Sequence, residues 1–156
     1  KSISDQKIDK KNFFENCLEK SITEKFTQNE IDEFSSDLII SSATIEHVGS
    51  TQNQINMVNN LIKLSKKIFV FTTPNRYYPL EFHTKFPFIH WLPKKIYRTI
   101  LTFLGLNFFA DEKNLNLLSE NDIRKIFSVL NFTNFDIFAV KLLWIKSNFI
   151  VVGIKK

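Results

Sequence analysis

Apolar positions near the start of the chain come in short runs. Ser2-Ile3-Ser4-Asp5 reads as the tail of a strand ending in an acid, and Asn12 to Glu19 as a second strand, with Phe13 and Phe14 on opposite faces. Ser21 to Asp32 is polar, a loop or a short helix. Behind Asp37 stands Leu38-Ile39-Ile40, a brief β-branched run bounded by polar residues, the pattern of a strand buried on both faces. Small residues follow it: Ser41, Ser42, Ala43 and Thr44. From Thr51 to Lys67 the period changes, because Ile55, Val58, Leu61, Ile62 and Ser65 recur at helical spacing. Lys66-Lys67 would complement the dipole at that helix's end. Ile68 to Thr72 is another buried run, stopped by Thr73-Pro74-Asn75. Strand, helix and strand in this order predict a right-handed βαβ unit with Asp37–Ser41 and Ile68–Thr72 as parallel neighbours.

Periodicity fails between Arg76 and Ala110, where prolines, histidines and aromatics interleave. Only from Pro93 to Leu104 does a helix fit, with Pro in its first turn and Ile96, Ile100 and Leu104 along one side. Ser119-Glu120-Asn121-Asp122 has the form of a capping box, and Ile123, Ile126, Phe127 and Leu130 form an apolar face up to Asn131. Phe132–Ile145 and Asn148–Ile154 are β-rich runs, predicting a hairpin that turns at Lys146-Ser147. Alternating strands and helices point to an α/β fold.

Composition narrows the function classes. The 156 residues suit one domain with a real core. A net charge of +5 permits an anionic partner, but the basic residues are scattered and read as solvated faces. The lone Cys17 excludes an internal disulfide and suits a reducing compartment, so a cytoplasmic location is expected. The longest uncharged apolar stretch, Thr99–Ala110, is shorter than the ~20 residues of a membrane-spanning helix. Peripheral membrane or lipid contact through Pro93–Leu104 is the remaining membrane expectation. No nucleic-acid motif, P-loop, dinucleotide fingerprint, zinc pattern or nucleophile elbow is present.

Candidate chemistry collects after Ile40. In open α/β sheets ligands lie outside the carboxyl ends of the strands. Small residues there let a ligand approach the backbone, and Glu46 and His47 supply a carboxylate and an imidazole. The ordered series Asp37-Leu38-Ile39, Ser41, Ile45-Glu46-His47-Val48, with Thr72-Thr73-Pro74-Asn75 ending the next strand, resembles class I S-adenosylmethionine-dependent methyltransferases. The small-molecule subgroup that includes quinone-biosynthesis enzymes is the nearest likeness, and EFHT with PFIHWLP (Glu81–Thr84, Pro87–Pro93) extends it.

The resemblance implies a Rossmann-like, mostly parallel sheet with a terminal antiparallel hairpin, and methyl transfer from S-adenosylmethionine to a small acceptor. It implies cofactor contacts at Asp5, Cys17, Ser41, Ser42, Ala43 and Thr44; Asp9 competes with Asp5 for the ribose. His47 is the candidate base and Glu46 its orienting neighbour. Arg76–Ala110 would be an aromatic lid over the acceptor, with Asn75, Arg76, Tyr77, Phe82, His83 and Trp91 as contacts. Where relatives place a further carboxylate to complete a metal site, Ala43 stands, so no metal is expected. Three glycines, Gly49, Gly105 and Gly153, form no G-x-G turn. The expectation is one domain, 1–156, whose first strand, glycine loop and first helix lie upstream of Lys1. The alternative is a non-catalytic remnant or binding module that kept the sheet without the donor loop.

Overall fold

The computed structural model describes residues 1–5 and 16–155, so Asp9, Phe13 and Phe14 lie outside the described residues. The strands form two sheets. β1 (Ser2–Ser4) and β2 (Cys17–Glu19) pair in parallel, Ser2 opposite Cys17. The larger sheet has the order β3-β4-β6-β5, built from β3 (Ser36–Ser42), β4 (Ser65–Pro74), β5 (Phe135–Leu142) and β6 (Ile145–Ile154). β3 and β4 run parallel from Leu38 opposite Ile68 to Ser42 opposite Thr72, as the sequence predicts. β6 lies antiparallel to both β4 and β5. The class is α/β with a terminal antiparallel hairpin, and the larger sheet is mixed rather than mostly parallel. Apolar runs identify strands; they do not say which edges meet.

Two α-helices cover one face of this sheet. α2, Thr51–Leu64, starts where the Ser50 hydroxyl accepts from the Asn53 amide at 3.2 Å. It stops three residues short of the predicted Lys67: the Ser65 amide closes the last turn on Leu61 O, and Ser65 itself is already extended. Lys66 and Lys67 thus belong to β4. Lys67 reaches Asp37 of β3 at 2.6 Å, so it serves a cross-strand pair and not the helix dipole. α5, Glu120–Val129, opens on the predicted Ser119–Asp122 capping box; Leu130 caps its end and the predicted stop, Asn131, follows with a φ of 51°. Met57, Val58 and Leu61 of α2 meet Phe69 and Phe71 of β4, Phe149 and Val151 of β6, and Ile123, Ile126 and Phe127 of α5. Gly153 is required there: a Cβ on it would come 2.1 Å from the Phe69 ring.

The opposite face is open among the described residues. Leu38 and Ile40 are exposed and Ile39 half-buried, so the run expected to be buried on both faces is covered on one. α1, Gln28–Phe34, has a capping box of its own (Thr27 with Glu30) and packs Phe34 with Phe26 and Leu64 against Ile3 and Leu18 of the small sheet. The hairpin turns at Leu143-Trp144 and not at Lys146-Ser147. Its apolar tip hid the turn from a reading that looks for polar breaks.

Residues 76–118 leave the end of β4 and return to it, where Asn75 bridges Leu118. The segment holds a 3-10 turn at Ile89–Trp91, α3 (Lys94–Phe103) and the short α4 (Asn107–Ala110). Tyr97 and Leu101 are the buried residues of α3; of the predicted apolar side, Ile96 and Leu104 are exposed and Ile100 is half-buried. No helix among the described residues is long and apolar enough to cross a membrane.

Candidate functional site

At the carboxyl end of β3 the backbone turns sharply. Ala43 has a φ of 48°, and its amide donates to both the carbonyl and the hydroxyl of Thr72, at 3.1 and 3.0 Å. Ser42 Oγ lies 3.2 Å from Thr72 Oγ1, and the Thr44 hydroxyl donates back to Ser42 O at 3.1 Å. These bonds lock the turn to β4 and start a 3-10 turn over Ile45–His47. Ile45 enters the core, Glu46 is fully buried, and His47 remains exposed.

A buried carboxylate needs partners, and Glu46 has half of them. Its Oε2 accepts from the Thr73 hydroxyl at 3.1 Å, whereas Oε1 has no hydrogen-bond partner. Burial accordingly pushes the carboxyl above its ordinary range. His47 Nδ1 is 2.7 Å from Asn114 O. A carbonyl can only accept, so Nδ1 carries the proton and Nε2 is left with its lone pair in the neutral ring. That Nε2 stands 3.9 Å from Glu46 Oε1.

The third group comes from the segment after β4. The His83 ring meets the His47 ring edge-on with centroids 4.9 Å apart. His83 Nδ1 is held 2.6 Å from Glu81 Oε1. Burial would raise the Glu81 carboxyl, but bonds from the ring and amide of His83 and the amide of Thr84 outweigh it and hold it at about 2. The same hydrogen bond raises His83 above its ordinary value. One donor atom from each of Glu46, His47 and His83 lies within 4.8 Å of the others. With both Nδ1 atoms engaged, each ring offers Nε2, a donor set that fits a divalent cation. Ala43 brings no carboxylate, as expected; His83 occupies the third position from a distant part of the chain.

The other sequence-predicted residues divide. Ser41 is half-buried, Ser42 and Ala43 are exposed at the crevice, and Thr44 is half-buried. Asp5 is exposed just past β1, and Cys17 opens β2, both on the small sheet rather than on β3. Asn75 and Arg76 are tied into the scaffold. Asn75 donates to Lys146 O at 2.8 Å and accepts from the Tyr77 amide at 3.0 Å. Arg76 donates to His90 O and Leu92 O, at 3.2 and 2.8 Å. Phe82 and Trp91 are partly exposed, one stacked on Tyr78, the other edge-on to Phe88; Tyr77 is half exposed. Glu81, Thr73, Asn114 and Asn116 escaped the sequence reading. Asn116 ties the segment down, donating to Glu46 O from its amide and to Gly49 O from Nδ2, both at 2.7 Å. Glu81 and Thr73 stood in the runs EFHT and TTPN without a site role, whereas Asn114 and Asn116 left no signal.

No family model matches this sequence, and no curated protein resembles it closely enough to count. Solved structures share its fold. An O-methyltransferase family protein from Burkholderia thailandensis aligns over 90% of this chain and 35% of its own, with a TM-score of 0.51 and 8% identity. The small RNA methyltransferase HEN1 aligns over 88% and 16%, with a TM-score of 0.50 and 16% identity. Magnesium protoporphyrin IX methyltransferase from Synechocystis PCC 6803, solved with bound SAH, aligns over 90% and 51%, at 0.48 and 14%. The chain thus spans about half or less of the length of each. What it has in common with them is the methyltransferase-like fold.

Proposed function

We propose that this protein takes part in methyl transfer from S-adenosylmethionine to a small-molecule acceptor. The observation that carries the reading is the buried, half-satisfied Glu46 flanked by His47 and His83 at the carboxyl end of the parallel pair β3–β4. That is where an open α/β sheet binds its ligands. The cofactor would lie against Ser41–Thr44, whose small side chains leave the backbone accessible, and Asp5 would reach its ribose.

His47 is the base. Its Nδ1–H is fixed by Asn114 O, so Nε2 is the nitrogen left to accept a proton. S-adenosylmethionine, when bound, would supply a transferable methyl group on a sulfonium; His47 Nε2 would take the proton of an acceptor hydroxyl whose oxygen receives that methyl. The donor is intrinsically reactive, so alignment and exclusion of water supply most of the rate. Phe82 and Trp91 provide the partly exposed ring surface for an apolar or aromatic acceptor.

The test follows methyl incorporation from labelled S-adenosylmethionine into a panel of phenols, amines and carboxylates. His47→Ala should lower turnover by roughly two to four powers of ten, with S-adenosylhomocysteine affinity unchanged in calorimetry. These measurements use the chain with the residues encoded upstream of Lys1 restored; absence of any S-adenosylhomocysteine binding by that folded protein would overturn the reading and favour a non-catalytic module.

A second reading is favoured by the unpaired Glu46 oxygen. Glu46, His47 and His83 would hold a divalent cation, which, when bound, polarises an acceptor oxygen. Added Co²⁺ should then develop visible absorption bands that His83→Ala removes. No bands in the wild-type protein would leave His47 as the base and dismiss the cation.

A further inference from the structure

We propose that the β5–β6 hairpin tip, Lys141 to Lys146, is a docking element for an anionic lipid bilayer. The argument begins with two local choices that weaken the hairpin itself. Its two loop residues, Leu143 and Trp144, both have positive φ, 49° and 69°. A two-residue loop of this kind favours Asn-Gly or Asp-Gly, because bulky side chains are strained in the left-handed region. Directly behind the loop, Lys141 sits opposite Lys146 across the strands. Like charges facing each other there destabilise the pair.

The loop residues gain no burial within the described fold, and the facing lysines have one carboxylate beside them. Leu143 is 78% and Trp144 95% exposed, with Leu142 and Ile145 about half exposed beside them. Lys146 lies 3.2 Å from Glu120, which also holds Arg124 at 2.8 Å. Lys146 and Arg124 thus share the one carboxylate of Glu120, and Lys141 stands across the strands from Lys146.

An anionic bilayer uses both features at once. Trp and Leu enter the interfacial layer, where an indole is best accommodated, while lysines just behind them meet the lipid phosphates. A protein groove would receive the apolar tip but has no need of facing lysines at its rim. The tip also projects beyond Pro74, which lies opposite Asn148, at the same end of the sheet as the candidate site. Docking there would bring the crevice toward the membrane surface.

Turn chemistry supplies the control. Leu143→Asn with Trp144→Gly installs the loop the hairpin prefers, so this variant should fold at least as well as the parent. The probe is Trp144 fluorescence, isolated by Trp91→Phe because the chain has two tryptophans. Vesicles of phosphatidylcholine alone and of phosphatidylcholine with phosphatidylglycerol are compared. The expected result is a blue-shifted emission with the anionic vesicles, quenched by brominated lipid tails. Co-sedimentation should fall roughly tenfold in the Leu143→Asn, Trp144→Gly variant, and preference for anionic vesicles should vanish in Lys141→Glu, Lys146→Glu. Unchanged Trp144 emission on anionic vesicles, or equal sedimentation of the loop variant, would overturn the proposal. So would a concentration-dependent dimer lost with the loop substitutions, which would assign the tip to a second copy of the chain.

Discussion

At the scale of single residues, the site is built on two imidazoles held by different acceptors. Asn114 O fixes His47 without adding charge, whereas Glu81 fixes His83 with a charge. The consequence is testable by NMR titration. Glu81→Gln should bring the His83 pKa down from its raised value, because it takes the negative charge off the hydrogen-bond acceptor that raises it. The linkage has a definite sign. A raised His83 stabilises the fold fully below its unfolded value of about 6.5 and loses that contribution as pH rises through the folded value. A Glu81 held at about 2 contributes above about 4.5 and loses it as pH falls toward 2. The pair is therefore most stabilising between those limits. In that window Glu81→Gln should cost about 1–3 kcal/mol in urea unfolding, and the difference from wild type should shrink at alkaline pH.

At the scale of elements, β4 and β6 show how closely the core constrains its strands. Phe69 lies over Gly153, which faces it across the ladder. Gly153→Ala should destabilise by about 1–3 kcal/mol, the range for overpacking. The same substitution in a Phe69→Leu background should cost much less, and the difference between the two measures their coupling. The segment after β4 is held differently, by polar struts from Arg76 and Asn116 and by partly exposed rings. Replacing Phe82 and Trp91 with Ala should therefore raise the KM for acceptor while leaving S-adenosylhomocysteine affinity near wild type. A loss of affinity for both would assign those rings to the scaffold.

At the scale of the whole molecule, the described residues fall into regions of unequal support. The larger sheet, α2 and α5 share one apolar cluster, whereas β1 and β2 rest on the smaller group of Phe26, Phe34 and Leu64. Local opening follows buried contact, so amides of β1 and β2 should exchange at a lower free energy than those of β4 and β6. Hydrogen exchange followed by mass spectrometry reads this directly. Equal protection would mean the two sheets open as one unit.

The sequence by itself determined the principal strands and helices and pointed to the candidate site. The run Leu38–Ile40 and the run Ile68–Thr72, joined by a helical period, specify a parallel pair, because burying those faces needs a crossover between them. The capping box at Ser119 and the stop at Asn131 are likewise local, made by side chains within a few residues of each other. Glu46 and His47 were visible as candidates for the same reason: they directly follow a strand end. Tertiary structure decided what local pattern cannot encode. It brought His83 from the far side of β4 to the His47 ring, set Asn114 and Glu81 as the atoms that fix each tautomer, and left one Glu46 oxygen unpaired. It also placed the hairpin turn at Leu143-Trp144, where an apolar tip gives no polar break to read. Contacts between residues far apart in sequence depend on how the elements pack, and periodicity records only which face each element buries.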